Sequence, residues 1–183
     1  MSLVAHHYWG TPGGGQLVCA SVAYGFDRLG LPPALSGTFR FDPGKYIQWY
    51  GIDIAKYPTY TLPIDAKAFG LWARLFVWLP AKKAVKRLKP RLVFTDEITY
   101  KPIGRGDYML VEYIHFPFEV FIDPKFKGTG LAYGEDPYIT ERYRKFPLSL
   151  YWKIYQKLVS YVVNKILFPI VVRDNPFRRA DVV

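Results

Sequence analysis

Apolar and polar positions along this chain fall into short runs of two kinds. Residues 2–5 are a brief apolar run with β character, and residues 16–29 carry the helical spacing expected to follow it. Gly30 stands where a left-handed cap belongs, and Pro32 and Pro33 forbid continuation. Residues 35–41 are predicted as a second strand and 45–50 as a helical turn after Pro43-Gly44. Residues 57–62 are β-prone, with Pro58 and Pro63 marking an edge or a boundary. A strong helical pattern covers 66–79; Pro80 must kink or end it, and 81–88 forms a second helical piece. Residues 91–94 read as a short apolar strand. Residues 108–114 are nearly continuous in apolar character, as a central parallel strand should be, and Pro117 closes them. Glycines, lysines and Pro124 make 122–134 a mobile loop. Residues 148–167 read as a long helix with Leu150, Ile154, Leu158 and Tyr161 at apolar positions and Lys153, Lys157 and Lys165 elsewhere on it. Ala180-Asp181-Val182-Val183 looks like the first half of a buried strand.

Strands alternating with helices predict an α/β fold, a Rossmann-like doubly wound parallel sheet covered by helices on both faces. At 183 residues the chain suits a single domain over 1–183. Ligands of such sheets bind beyond the carboxyl ends of the strands. Four groups fall there: His7 to Gly15 after the first strand, Asp96-Glu97, His115-Phe116-Pro117, and the long loop beyond Phe121.

Composition narrows the partners. Half the chain is apolar, which argues against disorder, and the net charge of +10 draws polyanions: nucleic acid, an anionic membrane surface or a phosphorylated small molecule. A single cysteine, Cys19, excludes an internal disulfide framework and a multi-cysteine zinc site, and reads as a core thiol. Asn occurs only at 164 and 175 and Gln only at 16, 48 and 156, a scarcity of labile residues that suggests a heat-adapted (thermophile) source. No secretory signal and no stretch of ~20 apolar residues is present, so the expected location is cytoplasmic, peripheral on the inner face of a membrane.

The chemistry-bearing residues each carry two readings. The three glycines Gly13, Gly14 and Gly15, between a strand and a helix N-terminus, either cradle a phosphate or make only a tight turn. His115, at the end of a buried strand, can hydrogen-bond a sugar hydroxyl or a phosphate oxygen, or be a satisfied structural imidazole. His6 and His7 alternate, so only one faces the crevice, and a packed His6 is the default. Asp96 and Glu97 can hold hydroxyls or act as a base, although adjacent acids at a helix start are commonly caps. Nothing in the spacing supports a metal site, and no Gly-x-Ser-x-Gly elbow or Walker lysine occurs. The basic run Lys82, Lys83, Lys86, Arg87, Lys89, Arg91 adjoins a helix bearing Phe69, Leu71, Trp72, Leu75, Phe76 and Trp78. That pairing is either a membrane-surface element or a core helix followed by a solvated one.

His7-Tyr8 leading into Gly13-Gly14-Gly15, together with Val111-Glu112-Tyr113-Ile114-His115-Phe116-Pro117, resembles the retaining GT-B glycosyltransferases of family 4. The likeness is to mannosyltransferases that extend dolichol-linked oligosaccharides, and it covers their N-terminal, acceptor-side domain. The resemblance implies that Gly14 and Gly15 face the donor's diphosphate and that His115 lies near the transferred sugar. His7, Tyr8, Asp96 and Glu97 are then candidates on the acceptor side. It implies a nucleotide-sugar donor, a lipid-linked or sugar acceptor, no metal and no further cofactor. The family's nucleotide-gripping pair of glutamates, eight positions apart, has no counterpart here, as if this were a truncated chain or a split reading frame. The expectation is that the polypeptide is inactive without a C-terminal donor-binding domain.

Two alternatives stay open. A dinucleotide-binding oxidoreductase domain needs an acid ending the second strand, for which Asp42 is the only candidate, and the Gly-x-Gly-x-x-Gly spacing is absent. A non-catalytic basic domain would bind a membrane or nucleic acid, but no aromatic-basic signature of a nucleic-acid module is present.

Overall fold

The structure is a computed structural model, described here for residues 1–64, 73, 76–96, 107–113, 145–162, 165 and 180–182. The chain divides into two compact units, one of Met1–His115 with Pro176–Val183 and one of Phe116–Asn175.

The first unit is built on five parallel strands. In chain order they are β1 (Ser2–Ala5), β2 (Pro33–Ser36), β3 (Thr59–Tyr60), β4 (Leu92–Thr95) and β5 (Met109–Glu112). Their spatial order is β3-β2-β1-β4-β5. The chain therefore winds outward from β1 in one direction, returns, and winds outward in the other, which places the topological switch point between β1 and β4. Helices α1 (Gly14–Arg28), α2 (Lys45–Tyr50) and α3 (Trp78–Leu88) connect the strands.

Strand alternation assigns the two faces. Val4, Leu35 and Phe94 pack with Cys19, Ala20 and Ala23 of α1, while Leu3, Ala5, Ala34, Val93 and Leu110 pack with Ala81 and Ala84 of α3. Helices thus cover both faces, and the sheet is doubly wound.

The helix ends obey local chemistry. Gly30 takes φ 74°, and the Leu31 and Gly30 amides donate to the Phe26 and Asp27 carbonyls, closing α1 in a Schellman motif. Pro80 falls in the first turn of α3, where its missing N–H has no intrahelical acceptor to lose, so α3 begins before the proline instead of after it. Most of 66–79 lies outside the described residues. Ala73 and Val77 are buried, which favours the core reading of that helix over the membrane-surface one. Val182 bridges Val111 in parallel, as a sixth strand would, yet is half-exposed instead of buried. The 122–134 stretch lies outside the described residues.

In the second unit the described helix is α4 (Leu148–Val162).

Candidate functional site

The register of the sheet aligns Tyr60, Ser36, Ala5, Thr95 and Glu112 as its last carboxyl-terminal rung. The rungs before it are apolar at β1, β2, β4 and β5: Val4, Leu35, Phe94 and Val111 form one, and Leu3, Ala34, Val93 and Leu110 the next. Polarity arrives at the carboxyl edge, where Ser36, Thr95 and Glu112 are all buried. One residue further, His6 follows β1 and Asp96 follows β4. Because those strands are neighbours at the switch point, the two side chains meet.

His6 Nδ1 lies 2.7 Å from Asp96 Oδ1, with both side chains almost wholly inaccessible. The ring nitrogen donates to the carboxylate, which holds the imidazole in one tautomer. Cys19 Sγ, from the second turn of α1, closes a buried trio whose ligand atoms lie within 4.8 Å of one another. Two ligands of a tetrahedral zinc stand about 3.3 Å apart. The 2.7 Å contact is shorter and has a proton between its partners. The default of a packed His6 holds, with Asp96 as its partner. Asp96 has committed Oδ1 to the imidazole, a use that neither the capping nor the hydroxyl-holding reading anticipates.

Trp9 joins this pair to the loop that carries the glycine turn. Trp9 is buried edge-on to His6, donates from Nε1 to the Ser36 carbonyl at 2.9 Å, and stacks on Phe41. Gly37 has to be glycine, since a Cβ there would stand 2.6 Å from the Trp9 ring. The Tyr46 hydroxyl donates to the Trp9 carbonyl at 2.9 Å, and burial pushes its ionisation far upward, so it remains a donor. Tyr50 grips Gly13 twice: its oxygen accepts from the Gly13 amide at 2.5 Å and its hydroxyl donates to the Gly13 carbonyl at 3.0 Å. Gln16 Nε2 donates to the Tyr8 carbonyl at 2.8 Å.

Gly13 is the N-cap of α1 in extended conformation. Helix geometry leaves the amides of Gly14, Gly15 and Gln16 without acceptors one turn back. Gly13 and Gly14 are exposed, Gly15 is half-buried, and a Cβ on Gly14 would meet nothing within 4 Å. The turn thus presents bare donors, backed by the helix dipole, to open space. His7 and Tyr8 line the same loop, each half-buried.

Asp42 is engaged elsewhere. Its Oδ1 accepts from the Gly44 amide at 3.0 Å, and it lies six residues beyond Ser36, the end of β2, so it does not occupy the position a ribose-binding acid requires. His115 and Glu97 lie outside the described residues. Sequence reasoning did not single out Ser36 or the Tyr50 clamp, and took Glu112 as part of an apolar strand and of the motif carrying the resemblance, with no role of its own; the available signal was a polar residue in a run otherwise apolar.

The fold and the site define an α/β protein with a doubly wound parallel sheet, a buried polar cluster at its switch point and an exposed glycine turn at the start of α1. No family model, curated protein or solved structure matches the chain.

Proposed function

We propose that this chain is the acceptor-side domain of a retaining glycosyltransferase of GT-B type, with a nucleotide sugar as donor. The hexose, mannose by the resemblance, passes to a lipid-linked or membrane-proximal acceptor. One observation carries the reading. Exposed glycines at the start of α1 follow β1 at the carboxyl edge of the sheet, the same edge at which His6 and Asp96 pair. Backbone donors there neutralise the charge that gathers on a departing diphosphate. The leaving phosphate takes the acceptor's proton on the same face of the sugar, so no separate carboxylate base is required. The position of Asp42 weighs against the oxidoreductase alternative. The glutamate pair that grips the nucleotide in such enzymes has no counterpart in these 183 residues, so transfer by this polypeptide alone is not expected.

Gly14→Pro supplies the test. Proline is well tolerated at the first helical position, and extended Gly13 is compatible with a following proline, so the fold survives while one donor disappears. Titration of the 15N-labelled chain with guanosine diphosphate mannose should shift the Gly14 and Gly15 amides. The substitution should weaken binding about tenfold or more, the share of one hydrogen bond to a charged group. Tighter binding of NADH than of the nucleotide sugar, or no shift at either amide, would refute the reading.

A further inference from the structure

Leu150, Ile154, Leu158 and Tyr161 follow one another on α4 at helical spacing and share an arc of about 80°. They are 51%, 58%, 44% and 60% exposed. One exposed leucine is ordinary, but four large apolar side chains in a line form a patch that calls for a partner. Lys153 and Lys157 are exposed on the immediate flank of the stripe, and exposed Lys145 and Lys165 stand beyond its two ends. From 145 to 165 the sequence contains no Asp or Glu.

We infer that this face of α4 docks on an anionic phospholipid bilayer, with the stripe sunk among the acyl chains and the lysines at the lipid phosphates. Charge decides the occupant. A second copy would set lysine against lysine, and a protein partner would need an acidic rim around an apolar groove. An anionic leaflet offers hydrocarbon and negative charge together, and the tyrosine suits the boundary between them. Among the described residues no helix is long and apolar enough to cross a membrane, so α4 lies on the surface. α3 differs in kind. Its Pro80, Ala81 and Ala84 are buried, and among the described residues the large apolar side chains exposed near its lysines are Leu79 and, just before the helix, Phe76. It carries charge without a stripe to insert.

The test is co-sedimentation of the full chain with vesicles of phosphatidylcholine alone or with about 30% phosphatidylglycerol, an anionic content typical of a charged leaflet. Vesicles carry neither nucleotide nor sugar, so the result is independent of the glycosyltransferase reading. The native chain should prefer the anionic vesicles and lose that preference as salt rises. Lys153→Glu/Lys157→Glu should weaken binding at least about twentyfold, each lysine contributing about fivefold. Leu150→Glu/Ile154→Glu should weaken it by at least as much. Both pairs are exposed, and unchanged far-UV circular dichroism verifies folding. Equal binding to both vesicle types overturns the proposal. So does anionic binding that survives both double variants but falls with Lys82→Glu/Lys83→Glu on α3. A dimer in sedimentation velocity that the Leu150→Glu/Ile154→Glu variant dissociates overturns it as well, in favour of a second copy.

Discussion

Asp96→Ala probes the centre of the candidate site directly. The carboxylate and the His6 ring are 1% and 2% exposed and lie 2.7 Å apart. Removing the carboxylate breaks this contact inside the core, a loss of about 3–5 kcal/mol. Asp96→Asn keeps the shape and one acceptor but discards the charge, which costs about 1–2 kcal/mol, the difference between charged and neutral hydrogen bonds. In a chain of this size each kcal/mol moves the melting temperature by about 2–4 °C. The expected falls are therefore about 6–20 °C for alanine and about 2–8 °C for asparagine, by circular dichroism. His6→Ala and the double variant complete a cycle in urea. The double variant should be more stable than the summed single losses allow, by at least about 1 kcal/mol, because the second removal cannot break again a contact the first has already broken. Additivity within about 0.5 kcal/mol would refute a direct pair, as would an Asp96→Ala loss below about 1 kcal/mol.

Three further outcomes test the surroundings. Gly37→Ala forces a Cβ to 2.6 Å from the Trp9 ring and should destabilise by about 1–3 kcal/mol in urea unfolding; a neutral effect would mean Trp9 is not held as placed. Tyr50→Phe removes both contacts to Gly13, so amide hydrogen exchange at Gly13 should accelerate while global stability falls by no more than about 1.5 kcal/mol. The Lys56 hydrogen bond holds the Asp27 carboxyl below its ordinary 3.8, so this contact stabilises above that pH and is lost as pH falls through the lowered value. The stability gap between the native chain and Lys56→Met should accordingly close between pH 5 and pH 2, values that bracket the usual carboxylate range of about 4; a gap that widens on acidification would contradict it.

The elements that local chemistry decides were legible in the sequence. β1 and α2 occupy the expected residues, and Gly30 closes α1 with the expected left-handed turn. β2 slid toward the N-terminus: the expected 35–41 became Pro33–Ser36, because proline is permitted at a strand's first position and the aromatic residues beyond Gly37 turn aside. Phe41 stacks on Trp9 and Phe39 meets Tyr8 edge-on, packing against the glycine loop instead of extending the ladder. The glycine turn was legible because its signal is contiguous. The His6–Asp96 pair was not, since its partners lie 90 residues apart and meet only through the β1–β4 pairing.

The polar rung weighs on the functional question from the side of stability. Ser36 and Thr95 are wholly buried and Glu112 nearly so, at positions where valine or leucine would continue the apolar rungs beneath. A buried hydroxyl costs about 1–3 kcal/mol unless hydrogen-bonded, and a carboxylate costs more. Ser36 Oγ has no partner among the described residues. A sheet selected for stability alone would extend its apolar rungs to the carboxyl edge. The Ser36 side chain shares the face of Ala5 and Ala34, which α3 covers, and under the proposed function a hydroxyl or phosphate oxygen of the ligand reaching it there would offset that cost. Ser36→Val separates the two accounts: it should raise stability by about 1 kcal/mol or more while lowering nucleotide-sugar affinity, the opposite signs a binding role demands. A substitution that stabilises and leaves affinity untouched would mark Ser36 as a structural accident and confine the site to the glycine turn.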